Sequence, residues 1–516
     1  MSDTSPIQFV SRDAPATLVL APDDDVAVAL RPIGTGDPIA PDGAIPARAR
    51  IPVGHKVARR DIGAGSRVLK YGQVIGYAHG DIAAGEHVHV HNLAYRDSEA
   101  RHDYASEVPS GTVACTDRFM GYRRASGRAG TRNYIAVISS VNCSATVSHA
   151  IAAGFGGDVL ADHPTIDGVA AFTHGTGCGI ANRGDGFDNL MRVLTGYARH
   201  PNVGGVLMVG LGCEASQLAS VVSIGDLSTG PLLRTMNIQG TGGHAKTIAA
   251  GRRIVAEMLD TVGRARREAC PVSELALGLQ CGGSDAWSGI TANPALGVAS
   301  DLLVAQGGIA LLAETPEIYG AEHLLTRRAV DTDVAEALMA RIEWWRGYVA
   351  RNDGSMDNNP SPGNKAGGLT TILEKSLGAV AKGGASALTG VYRYAEPVNR
   401  PGFAFMDSPG YDPASVTGQI ASGCTLVAFT TGRGSAFGSK PSPCLKIASN
   451  STMYRQMVDD MDIDAGTIVG AGESIEAVGR RIYDRLLAVA SGDATFSEAQ
   501  GLGDHEFVPW QIGATM

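Results

Sequence analysis

The chain has 516 residues, of which 44% are hydrophobic and 18% charged, and these proportions are typical of a folded globular protein rather than a disordered one. A formal net charge of −9, from 43 basic and 52 acidic side chains, argues against a nucleic-acid-binding surface. No apolar run reaches the length of a membrane span, and the first residues lack the pattern of a signal peptide. We therefore expect a cytoplasmic protein that binds neither a membrane nor nucleic acid. The eight cysteines are too sparse for a disulfide scaffold and are expected to be free thiols or metal ligands.

The first hundred residues predict a small all-β module. Short β-type runs, such as residues 17–20, are broken by glycine, proline and aspartate. The segment at 60–65 recurs in similar form at 80–85, which indicates a pair of related turns. We place this module at residues 1–98 and a polar linker at 99–118.

From residue 121 onward the chain alternates apolar strands with glycine-rich turns and amphipathic stretches, which predicts α/β structure with a mainly parallel sheet. Strands are predicted at residues 134–138, 169–172, 206–209, 275–279, 309–312, 403–406 and 426–429. Helices are predicted at 246–267, 334–350 and 475–490. We divide this part into a middle α/β domain at 119–268 and a Rossmann-like C-terminal α/β domain at 269–516. Their boundary is expected near Cys270, where a long charged helix should end.

Sulfur-bearing and polar side chains follow several of the predicted strands. A cysteine occupies the first turn after a strand four times, at Cys143, Cys178, Cys213 and Cys281. His174 lies in the turn of Cys178, and Glu214 follows Cys213. Open α/β sheets bind ligands at the edge where parallel strands end, and these groups can ligate divalent iron, manganese or zinc. The pattern favours a shared metal site over four unrelated buried thiols.

The spacing of the cysteines restricts the kind of metal site. No C-x-x-C pair occurs, so neither a zinc ribbon nor a ferredoxin-like cluster is indicated. A cluster held by three cysteines from distant loops, with one open iron, stays an alternative. Because neither a Walker motif nor a strand-linked G-x-G-x-x-G occurs, no nucleotide cofactor is expected.

Histidines alternate along residues 86–92, so a strand there would put His87, His89 and His91 on one face. Three imidazoles on one face could bind a metal or handle protons near neutral pH. A solvated edge strand is the equally weighted alternative. His55 stands alone in a turn, and by itself it favours a structural role.

Two segments offer groups for an acidic substrate. Residues 359–368 are expected to form a rigid loop that enters a helix, where backbone N–H groups and Lys365 would attract an anion. Thr431 and Arg433 lie in a second loop, and arginine is suited to bidentate carboxylate binding. A small molecule that carries a carboxylate or phosphate group is therefore expected.

Several long strings resemble the altronate/galactarate dehydratase family. They are residues 121–124 with 130–133, 210–214, 281–285 with 288–294, 359–368 and 431–434. The match extends over nearly the whole chain. Residues 54–56 and 87–92 resemble the SAF (β-clip) domain of that family.

The resemblance implies an Fe²⁺- or Mn²⁺-dependent hydro-lyase. It would remove water from a sugar acid, an altronate-type aldonate or a galactarate-type aldarate, and give a 2-keto-3-deoxy acid. The resemblance also implies three domains and a homodimer. A sulfolactate sulfo-lyase is similar, although it divides the β module and the α/β part between two chains. A sugar-acid-binding protein without catalytic activity is the alternative of a different class.

Candidate roles follow from the residues and the resemblance together. The expected metal-site residues are His174, Cys178, Glu214, Cys143 and Cys281. Lys365 and Arg433 are expected to hold the substrate carboxylate, and the base is expected to be Lys365 or a histidine of the β module. His55 and His89 are the candidates in that module. The remaining substrate-binding candidates are Ser284, Asp285, Asn293, Asn364 and Thr431.

Overall fold

The computed structural model describes residues 16–40, 44–97, 102–111 and 113–516. Residues 16–40 and 44–97 form the predicted all-β module. Its strands are β1 (Thr17–Leu18), β2 (Val26–Ala29), β3 (Lys56–Ala58), β4 (Arg67–Lys70), β5 (Gln73–Ala78), β6 (His87–Val88) and β7 (Leu93–Ala94). They form two antiparallel sheets, in the orders β1-β2-β3-β6 and β4-β5-β7.

The repeated segments at 60–65 and 80–85 pair with each other. Ile62 and Ile82 form an antiparallel bridge. The carboxylate of Asp61 accepts a hydrogen bond of 2.8 Å from the backbone N–H of Ala84. The carboxylate of Asp81 accepts the equivalent bond of 2.8 Å from residue 64. Each copy therefore caps the turn of the other, which accounts for the repeat in the sequence.

The middle domain is built on a parallel sheet. Its elements are β8 (Arg118–Arg123), β9 (Ala129–Gly130), β10 (Tyr134–Ser139), α1 (Ala145–Ala152), α2 (Asp158–Ala161), β11 (Gly168–Phe172), α3 (Asp185–Ala198), β12 (Val203–Gly210), α4 (Leu218–Ile224), β13 (Leu233–Asn237), α5 (Ile238–Thr241), α6 (His244–Val262) and β14 (Glu268–Pro271). The parallel sheet has the order β11-β10-β12-β13. The helix predicted at 246–267 ends earlier than expected, because α6 stops at Val262. The segment around Cys270 is a strand that pairs antiparallel with β8.

The C-terminal domain is built on a larger parallel sheet. Its elements are β15 (Ala276–Cys281), α7 (Ala292–Ala305), β16 (Ile309–Leu312), α8 (His323–Thr326), α9 (Thr332–Arg351), α10 (Pro362–Ala366), α11 (Ile372–Val380), β17 (Leu388–Tyr392), β18 (Gly402–Met406), α12 (Asp412–Ala421), β19 (Leu426–Thr431), β20 (Cys444–Ala448), α13 (Ser451–Gln456), β21 (Ile463–Asp464), α14 (Thr467–Gly470), α15 (Ile475–Ala490) and α16 (Phe496–Ala499). Short 3-10 turns occur at Asn142–Ser144, Val272–Glu274, Thr315–Ile318, Met356–Asn358 and Ala381–Gly383. The seven-stranded sheet has the order β17-β18-β16-β15-β19-β20-β21.

Two large hydrophobic cores join the three parts of the molecule. One core runs from the β module into the C-terminal domain and contains, for example, Ile75 and Leu373. The other contains Met208 of the middle domain and Phe429 of the C-terminal domain. Because each domain shares apolar surface with a neighbour, the loops at the domain borders are held in fixed relative positions. No helix among the described residues is long and apolar enough to span a membrane.

Candidate active site

The seven-stranded sheet has a topological switch point between β15 and β19. From β15 the chain moves to β16 on one side, and β19 lies on the other side. Ligands of open α/β sheets bind outside the strand ends at such points. The loops after the two strands meet there, because the backbone N–H of Arg433 donates to the carbonyl of Gly283 at 2.8 Å. The structure therefore brings Ser284 and Asp285 next to the loop of Thr431 and Arg433.

Several of the predicted substrate-binding residues have structural hydrogen bonds at this switch point. Asp285 is buried, and its carboxylate accepts bonds of 2.8 Å from Ser449 and 3.0 Å from Asn450. The amide of Asn293 accepts a bond of 2.6 Å from Thr430. The amide of Asn364 donates to the carbonyl of Ser284, and these two residues thereby link loop 359–368 to the strand end. Asp285, Asn293 and Asn364 thus shape the edge of the site.

Loop 359–368 contains the short helix α10 and then leads into helix α11. Pro362 is compatible with the first helical position, so the helix begins inside the predicted loop. The side chains of Ser361 and Asn364 cap each other's backbone N–H groups, with bonds of 3.3 and 2.9 Å. The backbone N–H groups of Ser361 and Asn364 are therefore already engaged within this loop. Lys365 lies half-buried in the last turn of α10.

The β module docks on the same loop. The amino group of Lys56 donates to the carbonyl of Gly368 at 2.7 Å, and Nε2 of His55 lies 3.4 Å from the carbonyl of Ala366. Gly368 has a φ of +99°, and a Cβ atom there would lie 2.8 Å from the carbonyl oxygen of Gly54. Only glycine permits this approach of the two backbones. The docking places histidines of the β module beside the loop of Lys365.

Three of these histidines form a compact set, which we call the histidine set: His55, His87 and His89. One ligand nitrogen from each lies within 4.8 Å of the other two. Nδ1 of His55 is 3.0 Å from Nε2 of His87. The rings of His89 and His91 lie 5.4 and 5.5 Å from that of His87, although strand β6 ends at Val88. The sequence treated His55 as a lone histidine, but the structure brings it into contact with His87, which lies 32 residues later in the chain.

Burial keeps the histidine set neutral near pH 7. It lowers the pKa of His87 to about 4 and that of His89 to about 3, and it also lowers the pKa of His55. The positive charge of Lys56 acts in the same direction on all three rings. Neutral imidazole is the form that binds a metal ion. Nδ1 of His89 is buried and has no hydrogen-bond partner among the described residues, so this nitrogen is available to bind a ligand.

A second, fully buried cluster lies at the ends of β15 and β16. It contains Cys281, Glu314 and Glu317, whose ligand atoms lie within 4.8 Å of one another. Lys382 donates to the thiol of Cys281 at 2.9 Å, and Lys375 donates to Glu317 at 2.7 Å. Neither the two glutamates nor the two lysines were predicted as site residues from the sequence. The position of Glu314, just after a predicted strand, is the signal that could have found it.

The two glutamates of this buried cluster are in opposite charge states. Burial, and then the charge of Glu317, raise the pKa of Glu314 well above its usual range. Burial would also raise the pKa of Glu317, but the neighbouring Lys375 and Lys382 outweigh it and the pKa is lowered. A protonated carboxyl group beside an ionised one is an arrangement found in acid–base sites.

The other predicted metal residues lie on the sheet of the middle domain. The structure therefore divides the predicted metal set, with Cys281 on one sheet and Cys143, Cys178, His174 and Glu214 on the other. Nε2 of His174 lies 3.1 Å from the carbonyl of Ser139, and its Nδ1 accepts from the backbone of residue 176. Burial lowers the pKa of His174 to about 4. The Glu214 carboxylate accepts from the hydroxyl of Ser140 at 2.9 Å and from a backbone N–H at 2.6 Å. His174 and Glu214 thus hold the loops of this sheet together.

Comparison with known proteins accounts for all three parts of the chain. Residues 15–96 match the altronate/galactarate dehydratase SAF domain, residues 121–263 the second domain of D-galactarate dehydratase/altronate hydrolase, and residues 272–515 the D-galactarate/altronate dehydratase C-terminal domain. An altronate dehydratase of Escherichia coli is 36% identical over 96% of this chain and 98% of its own length. One of Bacillus subtilis is 36% identical over 91% of this chain and 94% of its own. This chain belongs to the altronate/galactarate dehydratase family.

A galactarate dehydratase (L-threo-forming) of Escherichia coli is 37% identical over 88% of each chain. The relatives named altronate dehydratase and galactarate dehydratase, which are hydro-lyases, thus have nearly the same sequence identity to this chain. In this member, the SAF domain supplies the histidine set. The C-terminal domain supplies loop 359–368 and the strand ends of β15 and β19.

Proposed function

We propose that this chain is a hydro-lyase that removes water from a sugar acid, either an altronate-type aldonate or a galactarate-type aldarate. The product is a 2-keto-3-deoxy acid. The observation that carries the proposal is the docking of the histidine set against the loop of Lys365, next to the strand ends that carry Arg433. The similarity to relatives named altronate dehydratase and galactarate dehydratase supports it.

The reaction takes the proton from C2 and the hydroxyl group from C3 of a 2,3-dihydroxy acid. The two leave as water, and the resulting enol becomes the ketone at C2. Because the carboxylate beside C2 is already negative, the intermediate carries extra charge that cationic groups must stabilise. We assign carboxylate binding to Arg433, whose planar guanidinium can donate two parallel hydrogen bonds. We assign removal of the C2 proton to Lys365 of loop 359–368 or to a histidine of the β module, which docks on that loop.

The histidine set fits the divalent iron or manganese that the family resemblance implies. Its three nitrogens lie close together, its rings are neutral, and Nδ1 of His89 has no partner among the described residues. When bound there, the ion would supply a Lewis acid for the departing hydroxyl and for the charged intermediate. The nitrogens of His174 and the oxygens of Glu214 already have hydrogen-bond partners, so we favour the histidine set over them.

An assay of keto-acid formation from a panel of aldonic and aldaric acids tests the activity. We expect turnover of an altronate-type or a galactarate-type acid, loss of activity after chelation, and recovery when Fe²⁺ or Mn²⁺ is added back. Sulfolactate belongs in the panel, because release of sulfite from it would identify the alternative lyase. Binding of a sugar acid without keto-acid formation would identify a binding protein and contradict the proposal.

Substitution of His89 by alanine tests the metal assignment. We expect loss of bound metal and a fall in kcat of about 100-fold or more. His79 is an exposed histidine of the same β module, and H79A is the matched control that should keep both metal and activity.

Arg433→Ala should reduce kcat/KM by about 100-fold. Unchanged kcat/KM in R433A would remove Arg433 from the site.

We also propose a homodimer, as the family resemblance implies. Light scattering of the purified chain measures this directly. The mass of two chains is the expected result, and the mass of a single chain would contradict it.

A further inference from the structure

The middle domain has a topological switch point of its own, which the proposed function does not use. Strand β10 pairs with β11 on one side and with β12 on the other. The loops that follow these three strands therefore meet at the edge where open α/β sheets bind ligands. Each of the three loops carries one exposed cysteine: Cys143 after β10, Cys178 after β11 and Cys213 after β12.

Hydrogen bonds join these loops close to the cysteines. The backbone N–H of Asn142 donates to the carbonyl of Thr176 at 2.9 Å, and that of Ala215 donates to Gly177 at 3.1 Å. All four residues lie one or two positions from a cysteine. A Cβ atom on Gly177 would lie 2.5 Å from the carbonyl oxygen of Ser140, so only glycine allows the loops to approach this closely. The three cysteines are therefore carried by a single, fixed loop cluster.

The polar side chains of this edge are sorted into two groups. His174 and Glu214 are buried, and their hydrogen bonds run inward to the loop backbones and to Ser140. The three cysteines are exposed, whereas four of the other cysteines are buried. Free cysteine usually behaves as a small buried hydrophobe, so three exposed thiols on adjacent loops need another explanation. At this edge the cysteine thiols are accessible to a ligand, whereas His174 and Glu214 are not.

The spacing of the thiols distinguishes between kinds of metal site. Thiolates select zinc, copper(I) or iron–sulfur clusters. Sulfurs that share one tetrahedral zinc ion lie about 3.8 Å apart, given a Zn–S bond of about 2.3 Å. Among the described residues, the groups of three ligand atoms within 4.8 Å of one another are the histidine set and the Cys281 cluster, and the three cysteines are not among them. In a four-iron cluster each cysteine binds a different iron atom, so the cysteine sulfurs lie farther apart than at a shared zinc ion.

We propose that Cys143, Cys178 and Cys213 hold an iron–sulfur cluster of the four-iron type. Three irons would be bound by the three thiolates, each of which loses its proton on binding. The fourth iron would have no cysteine ligand. Cys281 does not take part, because it is buried on the other sheet and hydrogen-bonded to Lys382.

Anaerobic reconstitution of this chain with ferrous and ferric iron and with sulfide tests the proposal. We expect about four acid-labile sulfide per chain, and about four iron beyond any ion held by the histidine set. The loaded protein should show the visible absorption of a cluster and, after reduction with dithionite, its electron paramagnetic resonance signal. C143S, C178S and C213S should each lose most of this sulfide. Cys115 is exposed and lies outside the loop cluster, so C115S is the matched control that keeps it.

Three results would overturn the proposal. They are binding of zinc without sulfide, an unchanged sulfide content in any of the three serine variants, and equal loss in C115S. If a variant fails to fold, alkylation of the wild-type chain replaces it: the loaded protein should protect these three thiols and leave Cys115 reactive. H89A should keep the cluster, so a failure of this proposal and a failure of the proposed function give different results.

Discussion

Glu314 combines three features that seldom occur in one residue. It is fully buried, its backbone is left-handed with a φ of 74°, and its carboxylate has no hydrogen-bond partner among the described residues. The nearest cation is Lys382, whose amino group lies 3.9 Å away. A left-handed non-glycine residue costs on the order of 1–3 kcal/mol and persists where the surroundings enforce it, often at functional sites. Glu314 therefore marks a strained backbone position just after β16.

The opposite charge states of Glu314 and Glu317 lead to a paired prediction. Glu314→Gln replaces a protonated carboxyl group by a neutral amide, so the free energy of unfolding should change by less than about 1 kcal/mol. Glu317→Gln leaves Lys375 buried without its carboxylate, so it should destabilise the protein by about 3–5 kcal/mol. Denaturant unfolding of both variants measures the difference. Equal destabilisation by the two variants would contradict the assigned charge states.

At the scale of elements, helix α11 (Ile372–Val380) joins the β module to the buried cluster. Glu374 accepts bonds of 2.8 Å from both Lys56 and Lys70, which are fully buried residues of the β module. The next residue, Lys375, binds Glu317. Glu374 and Lys375 are adjacent on α11, and they contact the lysines of the β module and the buried Cys281 cluster respectively. A displacement of α11 would therefore disturb both sets of contacts.

Glu374→Gln should weaken the docking of the β module. Burial alone would raise the pKa of Glu374, but Lys56 and Lys70 outweigh it and hold the pKa well below its usual range. Two buried ammonium groups without a carboxylate should destabilise the protein by about 3–5 kcal/mol near pH 7. Thermal unfolding followed by calorimetry measures the effect. Glu336→Gln, on an exposed position of α9, is the control and should have no effect.

The same ion pairs predict how stability depends on pH. A lowered folded-state pKa contributes stability above the unfolded pKa of about 4.3, and this contribution is lost as the pH falls through the folded value. The difference in Tm between the wild type and E374Q should therefore shrink between about pH 5 and pH 3. A difference that stays constant over this range would show that Glu374 does not act through its charge.

At the scale of the whole molecule, hydrogen bonds of Arg132 join the middle domain to the C-terminal domain. Its guanidinium is 2% exposed and donates two bonds, of 2.6 and 2.8 Å, to the carboxylate of Glu498. It also donates to the backbone carbonyls of Val489 and Asp493 at 2.8 and 2.9 Å. These bonds fix the orientation of the two parallel sheets, and with it the positions of both switch points.

Arg132→Lys keeps the charge but loses this planar set of donors. We expect a destabilisation of about 2–4 kcal/mol, because several buried acceptors lose their partners. Arg253 is exposed on α6, and R253K is the matched control that should leave stability unchanged. Denaturant unfolding measures both. Equal stability of R132K and R253K would show that the hydrogen bonds of Arg132 do not stabilise the contact between the domains.

The sequence by itself determined the α/β class, the β module and the strands that enter the sheets as continuous apolar runs, because burial on both faces requires such runs. It did not predict β13, which carries Arg234 and Asn237, or β20, which carries the buried Lys446, because polar residues interrupt their apolar pattern. It also proposed the residues of the β15 and β19 loops, since local motifs mark strand ends.

Only the tertiary structure decided which of these segments meet. It joined His55 to His87 and His89, divided the predicted metal residues between two sheets, and enclosed Glu314 and Glu317 with two lysines. Contacts of this kind join residues far apart in the chain. They depend on strand order and domain docking, which local periodicity does not encode.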